Sequence, residues 1–254
     1  RGYAATQLVS DQAGADHLDA QLSNPWDLTT GGGSALWLTI HGAAHSTLYD
    51  AADLSLPALV VAAPSQGGDR DRPTGVAFNP GNGFEVTSGD RTGVARFIVA
   101  SDGGTLSGWA PSLGLPSAVV AFDGASSGAV YTGLAMTAKG VDSVLLATDF
   151  HNGVVDSFAA DFSRRPAGGR FVDPDLPAGY APFGIAAQGD VVFIAYAIPD
   201  ASATLPRAGA GLGLVDVFDD SGRWLRRLVP AGGVLNAPWS MAVAPAGFGA
   251  FGGA

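Results

Sequence analysis

A short phrase recurs five times along the chain: a Pro or Tyr, a residue that is often aromatic, a small residue, and then an apolar run. The copies are Pro25-Trp26-Asp27-Leu28, Pro73-Thr74-Gly75-Val76, Tyr131-Thr132-Gly133-Leu134, Pro182-Phe183-Gly184-Ile185 and Pro238-Trp239-Ser240-Met241. Measured at the second residue of the phrase, the steps are 48, 58, 51 and 56 residues. Repeats of roughly 40–50 residues, lengthened by loop insertions, are typical of the blades of a β-propeller.

Each repeat divides into about four strand-like runs that are separated by tight turns. In the second repeat these runs are residues 74–79, 84–88, 94–101 and 105–113. The breaks are rich in Gly, Asn and Asp, which supply the positive φ angles of hairpin turns. No window sustains the apolar periodicity of a helix without a Gly or Pro. The pattern therefore predicts an all-β chain, a β-propeller of four-stranded antiparallel blades with almost no helix.

The repeats also predict the domain organisation, a single propeller domain over residues 1–254. Four blades are predicted to be complete and a fifth to be partial, at residues 24–64, 72–113, 131–176, 182–230 and 238–254. A strand-like run at residues 6–10 precedes the first blade, and in propellers such a strand often completes the last one. Because an open ring would expose sheet edges and part of its core, we expect the natural chain to be longer.

Composition restricts the partners more than it restricts the activity. The formal net charge is −10 at pH 7, and an acidic surface repels phosphate backbones, so we expect no nucleic-acid partner. The absence of Cys excludes disulfides, zinc–thiolate sites and thiol nucleophiles. No apolar run approaches the length of a membrane-spanning helix. The chain begins at Arg1 rather than Met, which fits a processed mature protein or a trimmed fragment.

Longer stretches of the chain carry a resemblance to a known family. They include Leu8–Gln12, Ser46–Tyr49, Gly104–Trp109, Ala147–Gly153, Phe171–Phe183 and Gly213–Asp219. In these stretches the chain resembles an uncharacterised family of exported bacterial six-bladed propellers, some of which carry a PEP-CTERM sorting signal. The resemblance implies a six-bladed parent, a removed export signal and a secreted or cell-surface location. It implies no particular activity.

Propellers bind ligands at a mouth of the central channel, which first strands line and rim loops shape. The repeat phrases introduce these first strands, so their polar and aromatic residues are the candidates for a ligand-binding rim. They are Asn24, Trp26, Asp27, Arg72, Tyr131, Phe183, Asn236 and Trp239. An aromatic-rich rim suits sugar, aromatic or peptide ligands. The alternative, which the repetition favours, is that Trp26, Phe183 and Trp239 pack between adjacent blades.

Two groups of polar residues are candidate metal sites, with Ca²⁺ as the possible ion. Asp149, His151 and Asn152 lie where a second strand turns into a third, and Asp173 and Asp175 lie on a loop before a first strand. Asp and Asn oxygens suit Ca²⁺, and His could act as a further ligand or as a general base. The alternative, which we favour, is that these side chains bind turn amides as Asx turns do.

The supply of catalytic groups is thin. The chain has four His and a single Glu, Glu85, and it lacks a nucleophile elbow, a Walker loop and a zinc-protease motif. We therefore predict an exported propeller that binds a small molecule, an extracellular protein or a glycan at its rim. A metal-dependent lactonase or hydrolase that uses Asp27, Asp149 and His151 is the first alternative, and an extracellular scaffold is the second. Propellers host all three functions, so the fold leaves the enzyme question open.

Overall fold

The computed structural model describes residues 6–31, 35–50, 59–63, 71–137 and 143–253. The chain forms two compact units, Arg1–Ser127 and Gly128–Ala254. Within the described residues, helix is limited to four short 3₁₀ turns, and all other regular structure is strand. The turns are His41–Ala43, Pro111–Leu113, Ala125–Ser127 and Gly249–Phe251. The prediction of an all-β chain with almost no helix is confirmed.

The first unit contains two four-stranded antiparallel sheets. Its strands are β1 (Val9–Ser10), β2 (His17–Leu18), β3 (Pro25–Thr30), β4 (Ala35–Ile40), β5 (His45–Asp50), β6 (Leu59–Ala62), β7 (Pro73–Phe78), β8 (Glu85–Ser88), β9 (Arg91–Val94), β10 (Phe97–Ser101), β11 (Thr105–Trp109) and β12 (Val119–Asp123). One sheet has the order β3-β4-β5-β6 and the other has the order β7-β10-β11-β12. Both are meanders, the arrangement of strands in a propeller blade.

The second unit repeats this arrangement. Its strands are β13 (Tyr131–Met136), β14 (Leu145–Asp149), β15 (Val154–Phe158), β16 (Ala181–Gln188), β17 (Val191–Ala197), β18 (Gly213–Asp219) and β19 (Trp224–Val229). One antiparallel sheet has the order β13-β14-β15 in the described residues, and the other has the order β16-β17-β18-β19. Each repeat phrase from the first to the fourth therefore lies in the first strand of a sheet, as predicted.

The second repeat differs from the predicted strand assignment. Residues 84–88 were predicted to form the second strand of the blade. Instead, β8 forms a separate hairpin with β9. The second strand of the sheet is β10, and its fourth strand, β12, ends ten residues beyond the predicted limit at residue 113. An inserted hairpin has the same alternating pattern as a blade strand, so the local sequence does not separate them. This insertion accounts for the long step of 58 residues.

The predicted strands at the two ends of the chain also differ. Val9 and Ser10 pair in parallel with His17 and Leu18 in a two-residue ladder, and a role in ring closure stays a prediction. No strand is present in residues 238–253, where a partial fifth blade was predicted. A strand needs a neighbour to accept its backbone hydrogen bonds, and no described strand pairs with this segment.

Aromatic side chains fill the space between the two large sheets of the first unit. Trp37 of β4 is fully buried and stacks on Phe97 of β10, with ring centroids 4.0 Å apart. Trp109 of β11 tilts against the same indole at 5.3 Å. In the second unit, Phe183 of β16 is fully buried against Phe150 at 4.8 Å. Burial of aromatic side chains this large stabilises the contact between neighbouring sheets.

A Thr hydroxyl links neighbouring sheets in both units. Thr39 of β4 donates to the backbone carbonyl of Thr74 in β7 at 2.8 Å. In the second unit, Thr148 of β14 donates to the carbonyl of Phe183 in β16 at 2.9 Å. Thr74 and Phe183 hold the same place in their repeat phrases. The link is therefore a repeated hydrogen bond between blades, and it brings their backbones close together.

The small residue of the repeat phrase makes this close approach possible. A Cβ atom added to Gly184 would lie 1.8 Å from the backbone carbonyl oxygen of Trp239. We expect Gly184→Ala to lower the free energy of unfolding by ~3 kcal/mol or more, since backbone must shift to relieve the overlap. Gly247→Ala is the matched control, because a Cβ atom there meets nothing within 4 Å. Urea unfolding measures both, and equal stability of the two variants would contradict the close approach.

Candidate functional site

An aromatic and polar group lies at the start of β3 in the first unit, and we call it the Trp26 cluster. It consists of Asn24, Trp26, His41, Arg72 and Asp102. The indole of Trp26 lies flat on the imidazole of His41, with centroids 3.9 Å apart and planes inclined by 3°. Asn24 Nδ2 lies 3.5 Å from His41 Nδ1. Three predicted rim residues, Asn24, Trp26 and Arg72, therefore meet around His41, which was not among the predicted rim residues.

Asp102, in the turn between β10 and β11, fixes the cluster. One of its oxygens, Oδ2, lies 3.2 Å from His41 Nε2. The other, Oδ1, accepts hydrogen bonds from the backbone N–H groups of Asp71 at 3.1 Å and Arg72 at 2.9 Å. Burial alone would raise the pKa of Asp102, but these hydrogen bonds outweigh it and hold the pKa below its usual range. The ionised carboxylate thus fixes both His41 and the chain entering β7.

Exposure distinguishes Trp26 from its equivalents in the second, third and fourth repeats. Thr74, Thr132 and Phe183 occupy the same place in the phrase and are 0%, 1% and 0% exposed. Trp26 is only half-buried, and Asn24 beside it is exposed. The first repeat therefore presents part of a large aromatic ring where the second, third and fourth repeats bury their residue.

Asp27 lies next to the cluster but serves the backbone. Its Oδ2 accepts a hydrogen bond from the N–H of Val76 in β7 at 2.9 Å, and its Oδ1 accepts one from Leu28 at 2.8 Å. Burial raises the pKa of Asp27 to about 6, although both hydrogen bonds oppose the shift. Asp27 takes the place of the Gly in other phrases, and its carboxylate links first strands of neighbouring sheets.

The predicted rim residues of the second unit are less accessible. Tyr131 and Phe183 are fully buried, so neither side chain reaches a surface where a ligand could contact it. Tyr131 donates its hydroxyl to Asp156 Oδ2 at 2.9 Å. Trp239 is half-buried and meets Phe183 edge-on at 4.5 Å, as the packing alternative expects. Asn236 is exposed, and its Oδ1 accepts a hydrogen bond from the N–H of Gly209 at 2.7 Å.

The first candidate metal group forms a turn. The Asp149 carboxylate is buried and accepts hydrogen bonds from the N–H of Val130 at 3.2 Å, the N–H of Asn152 at 3.1 Å and Asn152 Nδ2 at 2.7 Å. Burial raises the pKa of Asp149 despite these bonds. His151 is exposed. These contacts are those of an Asx turn, which was the favoured alternative.

The second candidate metal group is divided between two roles. Asp173 is buried and forms an ion pair with Arg227, whereas Asp175 is exposed and donates its backbone N–H to Asp173 Oδ1 at 2.9 Å. Among the described residues, no three His, Asp or Glu side chains lie in a group that could hold a metal ion. Ca²⁺ binding stays a prediction.

Arg227 connects Asp173 to a second buried carboxylate, that of Asp216 in β18. Arg227 Nε donates to Asp216 Oδ1 at 3.0 Å, and both Asp side chains are fully inaccessible. Burial, together with the negative charge of Asp173, raises the pKa of Asp216 to about 6, against the opposing effect of Arg227. The carboxyl group of Asp216 therefore holds its proton more tightly than an exposed Asp does.

Asp216 has an equivalent in the preceding repeat, and the sequence contains a signal for both. The segments Val155-Asp156-Ser157-Phe158 and Val215-Asp216-Val217-Phe218 match in β15 and β18. Each Asp pairs with an Arg from the segment that follows, Arg164 at 3.4 Å and Arg227 at 3.0 Å. The candidate list omitted both, although a charged residue repeated within an apolar strand indicates a buried ion pair.

The raised pKa of Asp216 predicts a pH dependence of stability. A carboxyl group that binds its proton more tightly in the folded chain makes the free energy of unfolding fall as pH rises from about 4 to above 6. We expect Asp216→Asn to make this fall shallower, because Asn keeps the shape and does not titrate. Urea unfolding of both proteins at several pH values between 4 and 7 provides the measurement. Parallel pH profiles for the two would contradict the assignment.

Sequence comparisons point to viral proteins. No protein-family model matches the chain. Uncharacterized protein R648 of Acanthamoeba polyphaga mimivirus is 29% identical over 245 residues, which cover 94% of this chain and 60% of that protein. Uncharacterized protein L690 of the same virus is 29% identical over 239 residues, covering 91% and 62%. The chain thus spans about three fifths of the length of these relatives. The predicted kinship with exported bacterial propellers is wrong, and secretion stays an untested prediction.

Structural comparisons identify the fold. Hydrazine synthase of Kuenenia stuttgartiensis has a TM-score of 0.53 at 15% identity, covering 85% of this chain and 51% of its own. U3-55K has a TM-score of 0.52 at 14% identity, covering 85% and 54%. A protein of unknown function from Bacteroides thetaiotaomicron has a TM-score of 0.51 at 12% identity, covering 87% and 48%. At such identities the likeness concerns the fold alone, and that fold is a β-propeller of four-stranded antiparallel blades.

No helix in the described part of the chain is long and apolar enough to cross a membrane.

Proposed function

We propose that the chain is a non-catalytic binding propeller whose contact surface includes the Trp26 cluster. The observation that carries the proposal is the half-buried indole of Trp26 at a repeat position that the second, third and fourth copies bury fully. Indole rings bind sugar rings and aromatic side chains through their flat faces and edges. The exposed amide of Asn24 adds donors and an acceptor beside the ring.

The cluster is rigid, which favours binding. His41 is fixed by Asp102 on one side and lies under Trp26 on the other. Arg72 Nη1 lies 3.4 Å from the carbonyl oxygen of His41 and 3.5 Å from that of Gly42. A surface whose side chains are already ordered loses little conformational entropy on binding.

The carboxylates available for catalysis are engaged elsewhere. Asp27 bonds the backbone of β7, and Asp149 bonds the amides of its own turn. A general base must reach a substrate proton directly or through one water. These carboxylates accept hydrogen bonds from backbone N–H groups, so they stabilise the fold and are poorly placed for acid–base catalysis.

A binding experiment tests the proposed surface. A panel of immobilised glycans and aromatic peptides is screened with the wild-type chain, and Kd values are measured for the ligands that bind. We expect Trp26→Ala to weaken binding at least tenfold, or ~1.4 kcal/mol, because the ring supplies the stacking area. Leu28→Ala is the matched control, since Leu28 lies on the same strand and is 52% exposed. Equal binding by Trp26→Ala and wild type, or equal loss in both variants, would contradict the proposal.

Metal removal tests the enzymatic alternative. If the Asp149 turn and the Asp173 ion pair are complete without a cation, dialysis against EDTA should leave the melting temperature unchanged within ~1 °C. A metal that binds only the folded chain would instead stabilise it by mass action, so its removal would lower the melting temperature by several degrees. Stoichiometric metal in elemental analysis, with such a drop, would reinstate the lactonase or hydrolase hypothesis.

A further inference from the structure

The cationic residues of this acidic chain are concentrated in two places. Six of its 13 Lys and Arg residues lie in the segments 164–170 and 223–227, although the net charge is −10. The two segments come together in the second unit, where the N–H of Phe171, next to the first segment, donates to the carbonyl of Gly222, next to the second, at 2.7 Å. Six of the scarce cationic residues are therefore gathered in one part of the second unit.

A cleft of about 530 Å³ lies where the segments meet. Arg170 and Arg223 line it together with Val172, Pro174, Gly222 and Trp224. Its volume is within the range of roughly 300–1,000 Å³ that is usual for small-molecule sites. The cleft belongs to the second unit and shares no residue with the Trp26 cluster.

Arg223 is held in position for an anion. Its Nε donates to Asp219 Oδ2 at 3.0 Å, while Asp219 Oδ1 accepts from Ser221 and from the Arg223 backbone N–H at 3.0 Å. These bonds lower the pKa of Asp219 to about 2, first through Ser221 and next through the Arg223 backbone, so its carboxylate is ionised. The side chain of Arg223 is 73% exposed, and its two Nη groups have no partner among the described residues. A guanidinium fixed through Nε presents its outer edge for bidentate binding.

Arg170 supplies a second guanidinium group to the cleft. It is exposed, and its side chain has no acidic partner among the described residues. The arginines of the cleft carry two positive charges, and Asp219 cancels one. Two guanidinium groups thus line one cleft on a chain whose net charge is −10.

The other walls of the cleft are apolar. Trp224 is half-buried and packs against the core of the second unit, which fixes its ring. Val172 is 59% exposed at the cleft. An aromatic wall beside two guanidinium groups suits a ring that carries a negatively charged substituent.

We infer that this cleft binds a small anionic ligand, a carboxylate, sulfate or phosphate group carried on a ring of monosaccharide size. Arg170 and Arg223 bind the anionic group, and Trp224 contacts the ring. The inference is independent of the proposed function of the Trp26 cluster, because it depends on other residues in the other unit.

Isothermal titration calorimetry in a buffer free of phosphate tests the site. The probes are glucuronate, glucose 6-sulfate and glucose 6-phosphate, with glucose as the neutral comparison. We expect saturable one-site binding of at least one anionic probe and none of glucose. Arg170→Ala and Arg223→Ala should each weaken that binding at least tenfold. Arg223→Lys, which keeps the charge but loses the planar fork, should also bind more weakly than wild type.

Arg207→Ala is the matched control, since Arg207 is an exposed arginine of the same unit that does not line the cleft. Its affinity should stay within twofold of wild type. The inference fails if no anionic probe saturates, or if the cleft variants bind as wild type. Equal weakening in Arg207→Ala also overturns it, because such a result indicates general attraction by charge. Unchanged melting temperatures of the variants exclude unfolding as the cause of lost binding.

Discussion

The close approach of neighbouring repeat phrases constrains the rest of this structure. At Gly133 an added Cβ atom would lie 3.2 Å from the carbonyl oxygen of Phe183, and at Gly184 it would lie 1.8 Å from that of Trp239. The Phe183 carbonyl also accepts a hydrogen bond from the Thr148 hydroxyl, and in the first unit the equivalent carbonyl of Thr74 accepts one from Thr39. A small residue in the phrase and a Thr on the adjacent strand are therefore two parts of one contact. In the first repeat Asp27 replaces the Gly and bonds the facing backbone through its carboxylate.

This contact explains why the fold was readable from the sequence. The phrase recurs because the backbone geometry of the contact requires it. Its period therefore predicts the length of each blade, the position of each first strand and the antiparallel order of the strands. The inserted β8–β9 hairpin and the segment 238–253 were misread for the opposite reason. Which strands pair with each other is decided by contacts distant along the chain, and alternation within one strand does not encode them.

The candidate site was predictable in part for the same reason. The repeat register located Asn24, Trp26 and Arg72, because all three lie in or beside the phrases. It missed His41 and Asp102, which come from turns 61 residues apart and meet only through packing of two sheets. It also selected Tyr131 and Phe183, whose burial follows from the repetition itself. In a repeat protein, the informative residue is the one whose environment departs from that of its equivalents.

The contacts of the Asp residues also explain why the chain carries an excess of negative charge. Asp27, Asp102, Asp149 and Asp219 each accept backbone hydrogen bonds, so many carboxylates stabilise turns and strand ends. The buried pairs of Asp156 with Arg164 and of Asp216 with Arg227 use the scarce arginines for the same structural purpose. An exposed arginine such as Arg170 has no acidic partner of this kind among the described residues. Its guanidinium, beside the fixed fork of Arg223 and the ring of Trp224, gains an anionic partner if a ligand completes the cleft.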